Sequence, residues 1–334
     1  RQSNWQTCVV GGLGIAGMAL SGDHPDAQHL IELAHGRMAA YRSVYGPDGE
    51  FNENSGYAAA TRLPVIYFSV HRYHTFGDEN VLARWPFPET CLWYLYLTSP
   101  PGRVAEFGDT HRDVPPSTSH YAAVAAATGN GLLQWYYRTF PHRDDASLLP
   151  FELLWYDDTL VPTEPDGLLP KGRAFPAHHG CISSRTDWNP ERTPTLVFAK
   201  AGHGSEIHGH HDAGQVCIDG HGERLIVDLC SPPMYPADFF EENRYRYYNA
   251  GVIGHNVLMF DRQETAVGIH RRALIKDVQF DESKGGCWTI DLTGCYGGVT
   301  LVHRSVIHLI PDIIAVLDEV DLTDERDISL RWHT

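Results

Sequence analysis

The hydrophobic pattern of this chain changes once, near residue 165, and that change most limits how the chain can fold. Before it, apolar residues recur at intervals of three and four, as at Leu30, Leu33 and Ala34. This spacing gives a helix one apolar face. The pattern predicts helices over 5–20, 25–44, 55–75, 84–98, 118–138 and 148–157. Their short links indicate stacked helical hairpins.

From about residue 174 the pattern becomes one of short alternating runs separated by Gly, Asp and Pro, which is typical of strands. The predicted strands are 195–199, 215–219, 225–229, 257–260, 298–308 and 313–320. Helices that precede strands, rather than alternate with them, exclude a doubly wound parallel sheet. We therefore expect an α+β multidomain protein, with a helical domain over 1–165 and an antiparallel β-sandwich over 174–334.

Both ends of the chain indicate a longer protein. The opening RQSNWQ runs into an apolar helix without a leader, and the closing ISLRWHT stops inside a strand-like pattern. We expect earlier helices and later strands to be missing from this chain.

Composition excludes several functions. A formal net charge of −16 opposes binding to nucleic acid, which depends on clustered Lys and Arg. The seven cysteines include no C-x-x-C pair, so neither a disulfide framework nor a thiolate zinc site is indicated. Apolar stretches are far shorter than the ~20 residues that a membrane-spanning helix needs. We expect no nucleic-acid or membrane partner.

The twenty histidines cluster most densely in GHGSEIHGHHDAG at 202–214. If this segment is an extended strand, His208 and His210 share one face and His211 points to the other. A solvated, histidine-rich turn is an equally good interpretation of an isolated H-x-H pattern.

Two further positions favour a metal site. LIVDLC at 225–230 places Asp228 beside an apolar run, and GHNVLMF at 254–260 does the same for His255. Acidic side chains rarely lie beside buried apolar runs unless they are paired or bound to metal. Two imidazoles and one carboxylate suit zinc. The predicted ligands are His210, Asp228 and His255.

Two other segments resemble known binding motifs but lack part of the required pattern. The glycines of GLGIAG at 12–17 have dinucleotide-binding spacing, but the second strand with its acidic end does not follow, so we predict close helix packing instead. The segment 202–210 matches the start of a cupin metal motif, yet Gly214 and Gln215 stand where a glutamate ligand should be.

The order of the motifs resembles that of the heparinase II/III-like polysaccharide lyases. The matching segments are NWQ at 4–6, DGEFNENSGY at 48–57, FGD at 107–109, HGHHD at 208–212, LIVD at 225–228, GHN at 254–256 and the run from 304 to 318. Each motif alone is weak, but their shared order spans nearly the whole chain. The resemblance implies that the helical part belongs to an incomplete (α/α) toroid.

The resemblance also implies an activity, β-elimination on uronic-acid polysaccharides. Removing the C5 proton requires that the neighbouring carboxylate be neutralised, a role that fits Asn4, although Asn4 could instead cap a helix. Tyr57 and His208 would share the proton transfers, and Tyr245 is our choice among the nearby tyrosines for a second catalytic phenol. We expect Asn4 and Tyr57 to face His208 across a sugar's width.

Several consequences remain expectations. The zinc would be structural, the partner an anionic polysaccharide or oligosaccharide, and the location extracellular or periplasmic. A uronyl C5-epimerase of the same fold and a non-catalytic carbohydrate-binding protein are the alternatives. The net charge of −16 requires locally concentrated positive charge if an anionic sugar is to bind.

Overall fold

Helices and strands occupy largely separate parts of the chain in a computed structural model, which describes residues 2–99, 102–112, 115–140, 148–192, 194–266 and 268–334. The chain divides into two compact units. Unit 1 comprises Arg1–Asn52, Tyr57–Leu95 and Pro115–Glu164. Unit 2 comprises Glu53–Gly56, Tyr96–Val114 and Pro165–Thr334.

The α-helices lie in the first half of the chain. They are α1 (Asn4–Gln6), which continues through a π-helical turn (Thr7–Gly11) into α2 (Gly12–Ala19), then α3 (Ala27–Tyr41), α4 (Arg62–Thr75), α5 (Phe87–Tyr96), α6 (Ser119–Thr128), α7 (Gly131–Thr139) and α8 (Leu149–Trp155). Short 3₁₀ helices occur at Arg42–Val44, Gly56–Thr61 and Val81–Ala83. Among the described residues, no helix is both long and apolar enough to span a bilayer.

The single helix predicted over 118–138 is wrong, because the chain turns at Gly129. Gly129 has a φ of +65°, a left-handed conformation that glycine adopts without strain and that ends α6. The side chain of Asn130 then accepts a hydrogen bond from Leu132 N at 2.9 Å and caps the start of α7.

The glycines of α2 allow close packing against α3 and α4. A Cβ at Gly14 would lie 2.6 Å from the Cβ of Ala34 and 2.7 Å from the Tyr67 ring, too close for any larger residue. A Cβ at Gly17 would meet the Ala27 carbonyl at 3.0 Å. The close helix packing predicted from this glycine pattern is confirmed.

Unit 2 is built from antiparallel strands. They are β1 (Thr98–Ser99), β2 (Arg103–Val104), β3 (Gly172–Phe175), β4 (Cys181–Arg185), β5 (Leu196–Lys200), β6 (Val216–Gly220), β7 (Glu223–Ile226), β8 (Leu258–Phe260), β9 (Leu274–Asp281), β10 (Gly285–Asp291), β11 (Val299–Leu309), β12 (Ile313–Leu322) and β13 (Ile328–Leu330). One sheet has the order β3-β4-β5-β6-β7, a second the order β12-β11-β10-β9, and β13 pairs with β8. The strand predictions did not include β3, β4, β9 or β10.

The two larger sheets share one apolar core. Ile182 and Val197 of the first sheet pack in the same buried cluster as Trp288, Ile290 and Val306 of the second. Alternate residues of β11 are buried, as expected for a strand with one face on a core. The predicted combination of helices with antiparallel sheets is confirmed, whereas the toroid stays a prediction.

A buried arginine, Arg304 on β11, connects three segments within unit 2. Its Nε and Nη2 each lie 2.8 Å from an oxygen of Asp318 on β12. Its Nη1 donates to the carbonyl oxygens of Gly214, at 2.8 Å, and Asn256, at 2.5 Å. The guanidinium therefore ties the loops that end at Gly214 and pass through Asn256 to the sheet.

Asn256 itself makes a second set of bonds around the same point. Its N–H donates to Gln215 Oε1 at 2.6 Å, and its side-chain amide donates to the carbonyl oxygens of Val216 and Val227. Its Oδ1 accepts from the His333 N–H at 2.8 Å. Because Val227 precedes Asp228 and His255 precedes Asn256, this network fixes two of the predicted ligand positions.

The ion pair of Arg304 provides the first test. In an Asp318→Asn variant the Arg304 guanidinium, whose side chain is 0% exposed, loses its charge partner. We expect the free energy of unfolding to fall by about 3 kcal/mol, as when one partner of a buried ion pair is removed. Chemical denaturation followed by tryptophan fluorescence measures this change.

Lys276→Ala is the matched control, because Lys276 lies 3.8 Å from Asp291 with 46% of its side chain exposed. Its loss should cost less than about 1 kcal/mol, as for other surface pairs. Equal effects of the two substitutions would contradict a clamping role for Arg304.

Candidate functional site

The loop that joins β5 to β6 carries His208, His210 and His211, and it is not the extended strand that one of the two sequence interpretations assumed. Residues 203–214 form turns and bends, and His208 has a φ of +57°. The strand interpretation is therefore wrong, and the segment is a turn, although a largely buried rather than a solvated one. The two imidazoles nevertheless converge on one acceptor, through loop geometry rather than strand periodicity.

That acceptor is Asp109, which lies in unit 2 and is 2% exposed. His208 Nδ1 lies 2.8 Å from Asp109 Oδ2, and His210 Nε2 lies 2.9 Å from Asp109 Oδ1. The side chain of His208 is 14% exposed, while that of His210 is fully buried. One carboxylate thus holds a partly accessible imidazole and an enclosed one.

Gly108 allows Asp109 to approach the histidine loop. It has a φ of +58°, and a Cβ there would lie 2.0 Å from Asn54 Nδ2 and 2.3 Å from the His208 carbonyl oxygen. The N–H of Asp109 donates to the same carbonyl at 2.9 Å. Only glycine fits this contact, because any side chain would push the two segments apart.

Arg244 completes the environment of Asp109. Its Nη2 lies 2.9 Å from each oxygen of Asp109 and 2.9 Å from the Gly209 carbonyl oxygen. The guanidinium carbon stands 4.6 Å and 5.2 Å above the rings of Phe239 and Phe240. Burial raises the pKa of Asp109, but hydrogen bonds from the two histidines and the charge of Arg244 outweigh it and hold this pKa well below its usual range.

Glu53 is a second buried carboxylate beside His208. Its Oε2 lies 3.6 Å from His208 Nε2, and its side chain is 0% exposed. His208 therefore has a carboxylate near each ring nitrogen.

The three predicted metal ligands lie together. His210, Asp228 and His255 are all buried, and one ligand atom from each lies within 4.8 Å of the others. Asp228 Oδ2 lies 3.1 Å from His255 Nδ1, and Asp228 Oδ1 accepts from the Cys230 N–H at 3.1 Å. Among the described residues, His210 Nδ1 and His255 Nε2 have no hydrogen-bond partner.

This donor set fits a zinc ion. Buried imidazole nitrogens without partners are costly unless something binds them, and two imidazoles with one carboxylate leave a fourth position open on a tetrahedral ion. Burial lowers the pKa of His210, which favours the neutral ring that a metal requires. For His255, burial also acts downward, but the Asp228 carboxylate prevails and raises its pKa.

A buried ionic cluster anchors the same loop to β5. Lys200, at the end of β5, contacts the Asp212 carboxylate and lies 3.5 Å from Glu206 Oε2. His179 pairs with Glu206. Burial raises the pKa of Asp212, but the Lys200 ammonium overcomes this and lowers it to about 2. Both ends of the histidine segment are thereby tied to one lysine.

Asn4 and Tyr57 belong to unit 1. Asn4 is half-buried and is the first residue of α1, and Ser3, with extended backbone, occupies the N-cap position instead. The alternative role of Asn4 as a helix cap is therefore not what the structure contains. Tyr57 is half-buried in the 3₁₀ helix Gly56–Thr61.

Tyr245 lies in unit 2 but turns towards His211 rather than the Asp109 cluster. Its ring stacks on His211 with centroids 3.7 Å apart, and its hydroxyl donates to the Gly204 carbonyl at 2.5 Å. Burial raises the pKa of Tyr245, which disfavours the phenolate that a base would need.

Sequence reasoning missed three residues of this cluster. Asp109 was noted only as part of an FGD motif, without a role. Glu53 was noted only as the acidic residue of the segment that ends at Tyr57, without a role, and Arg244 was passed over among the tyrosines that follow Asp228. A charged residue beside glycine or an aromatic residue was the local signal for Asp109 and Arg244, but it does not identify their partners.

Comparisons with known proteins identify a matching family and similar folds. Residues 188–334 match the family described as "Heparinase II/III-like, C-terminal". The heparan sulfate lyase HepC from Pedobacter heparinus has a similar structure, with a TM-score of 0.72 and 14% identity over 99% of this chain and 48% of that one. A search of curated proteins finds no significant match.

Two heparinase III structures are similar as well. One has a TM-score of 0.69 and 15% identity over 98% of this chain and 47% of its own, and the other a TM-score of 0.71 and 14% identity over 98% and 48%. Identities this low establish the fold alone, and this chain spans about half the length of these structures. The family predicted from the motif order is nonetheless confirmed by the sequence match over residues 188–334, where the chain carries a heparinase II/III-like C-terminal domain.

Proposed function

We propose that this protein is a polysaccharide lyase that cleaves a uronic-acid-containing polymer by β-elimination. One observation carries the proposal. A partly exposed imidazole, His208, is held by a buried carboxylate beside the His210, Asp228 and His255 group, in a domain of the heparinase II/III-like family. A carbohydrate-binding module needs no imidazole fixed in this way.

The reaction begins with a proton that is hard to remove. The C5 hydrogen of a uronate lies next to a carboxylate, so the developing carbanion meets an existing negative charge. Asn4 would donate hydrogen bonds to that carboxylate and let the charge spread onto it. Its half-buried position at the start of α1 leaves part of the side chain accessible.

Tyr57 and His208 would carry the two proton transfers. One takes the C5 proton, the C–H electron pair becomes the C4–C5 double bond, and the C4–O bond breaks. The other donates a proton to the leaving oxygen. We assign Tyr57 as the donor, with His208 as the group that takes the C5 proton. For a sugar of the opposite C5 configuration, Tyr57 would perform both transfers. Tyr245 could serve as a further phenol only after its hydroxyl leaves the Gly204 carbonyl.

We further propose that His210, Asp228 and His255 hold a zinc ion with a mainly structural role. Bound there, zinc would supply a fixed positive charge that holds the three loops together. The unpartnered nitrogens of His210 and His255 support this assignment. The chain's own residues would perform the proton transfers.

The substrate would be an anionic polysaccharide or oligosaccharide found outside the cytoplasm, so we propose an extracellular or periplasmic location. Heparin-like, alginate, glucuronan and ulvan-like chains all offer a C5 proton beside a carboxylate. The net charge of −16 makes local cations necessary for binding.

The activity is tested by incubating the longest natural form of the protein with these four polymers and recording the ultraviolet absorbance of the new double bond. We expect one polymer to be cleaved. Tyr57→Phe and His208→Ala should each lower kcat by about 10²–10⁴-fold, the usual contribution of a positioned acid or base.

Matched controls are Tyr73→Phe, at a tyrosine 62% exposed on α4, and His270→Ala, at an exposed histidine. Both should retain full activity. Exchange of the C5 hydrogen with solvent without a double bond would identify an epimerase instead. Binding without either reaction would identify a carbohydrate-binding protein and refute the lyase.

The metal is tested by elemental analysis and melting temperature. We expect one zinc per chain, and an excess of zinc 100-fold above its dissociation constant should stabilise the fold by about 2.7 kcal/mol. Asp228→Asn should abolish both effects because it removes the only carboxylate of the group. Asp291→Asn, on the partly exposed Asp291, is the control. Unchanged zinc content in Asp228→Asn would disprove this site.

A further inference from the structure

We propose that Asp109 is a positioning residue that sets the ring tautomers of both His208 and His210, so that one carboxylate prepares one imidazole for proton transfer and the other for metal binding. This inference rests on the proposed function and adds to it the residue that joins its two parts.

The contact of Asp109 with His208 determines which nitrogen of that ring carries hydrogen. An ionised carboxylate can only accept hydrogen bonds, so the 2.8 Å contact between Asp109 Oδ2 and His208 Nδ1 requires a hydrogen on Nδ1. In a neutral ring the other nitrogen, Nε2, then carries the lone pair. Nε2 thereby becomes the atom that can receive or return a proton, on the 14% exposed side chain.

Asp109 contacts the opposite ring nitrogen in His210. Asp109 Oδ1 lies 2.9 Å from Nε2 of this ring, so the hydrogen is on Nε2 and the lone pair is on Nδ1. That Nδ1 is buried and has no hydrogen-bond partner among the described residues. His210 also belongs to the group with Asp228 and His255, so its free lone pair is the one available to a metal.

Asp109 is held firmly enough to impose both tautomers. The two contacts of Arg244 Nη2 with its oxygens orient the carboxylate plane, and its own N–H is bonded to the His208 carbonyl. Gly108 brings its backbone against the histidine loop with no room for a Cβ. The carboxylate therefore cannot rotate to favour one ring without losing other bonds.

A simpler role must be separated from this one. Asp109 could act only as the counter-ion that allows Arg244 to be buried at 8% exposure. A counter-ion would affect stability, but it would not determine which nitrogen of each imidazole carries hydrogen. The tautomers themselves are therefore the decisive observable.

The first experiment uses the unmodified protein, free of metal, labelled with ¹⁵N-histidine and studied by proton–nitrogen correlation NMR at a pH where the rings are neutral. Signals are assigned with His208→Gln and His210→Gln. We expect the Nδ1–H tautomer for His208 and the Nε2–H tautomer for His210. The opposite tautomer at either ring would overturn the proposal.

The second experiment uses Asp109→Asn, which keeps the size of the side chain but replaces one acceptor oxygen with a donor. One of the two imidazoles must then change tautomer or lose its bond. We expect affinity for zinc or cobalt to fall about 10-fold and kcat to fall about 10–100-fold with little change in KM, the range for residues that orient metal ligands.

The control is Asp291→Asn, because Asp291 pairs with His303 at 3.7 Å on the sheet surface. It should leave metal affinity and kcat unchanged. Asp109→Asn alone leaves the Arg244 guanidinium buried without its carboxylate, and the double variant Asp109→Asn with Arg244→Gln removes that charge as well. Recovery of stability without recovery of metal affinity supports positioning, whereas recovery of both supports a counter-ion.

The outcomes separate this inference from the proposed function. Absence of lyase activity in the unmodified protein would refute the function, while NMR and cobalt titration would still test Asp109. An active protein whose Asp109→Asn variant keeps kcat and metal affinity within about twofold would refute the positioning role alone.

Discussion

The site depends on one buried guanidinium, that of Arg304. It extends from the buried face of β11, pairs with Asp318 and donates to the carbonyls of Gly214 and Asn256. In a low-dielectric interior such a network is stable only when every member is satisfied, and it then admits few alternative geometries. Asp228 and His255 lie in loops, but this network holds them as precisely as if they were on a sheet.

Sequence patterns predicted the fold where one period dominated and failed where two signals competed. The alternation in β11 and β12 was clear, so both strands were predicted within two residues of their ends. The break between α6 and α7 was missed because the apolar spacing continues through Gly129, although a left-handed glycine followed by a capping Asn130 ends one helix and begins another. At this position the backbone conformation of Gly129 ends the helix, although the apolar spacing predicts that it continues.

Site residues were predictable where the residue type and its sequence neighbours indicate a metal ligand. They were not predictable where the role depends on a partner far away in the sequence. Asp228 and His255 were recognised because each stands beside apolar residues, and His210 because it lies in the densest cluster of histidines. Asp109 lies 99 positions from His208, and no local pattern reveals a contact of that length. Arg244 was hidden in the same way, because its role depends on a carboxylate from another segment.

The division of the chain has a consequence for anyone who wishes to isolate or transplant this domain. The family match covers residues 188–334, yet unit 2 also takes in Glu53–Gly56 and Tyr96–Val114. Glu53 and Asp109, the two carboxylates beside His208, both come from those early segments. A fragment limited to residues 188–334 would contain His208 and His210 but would lack Asp109, their shared acceptor. The domain that must be transferred is thus discontinuous in sequence, and its extent is determined by hydrogen bonds between distant segments.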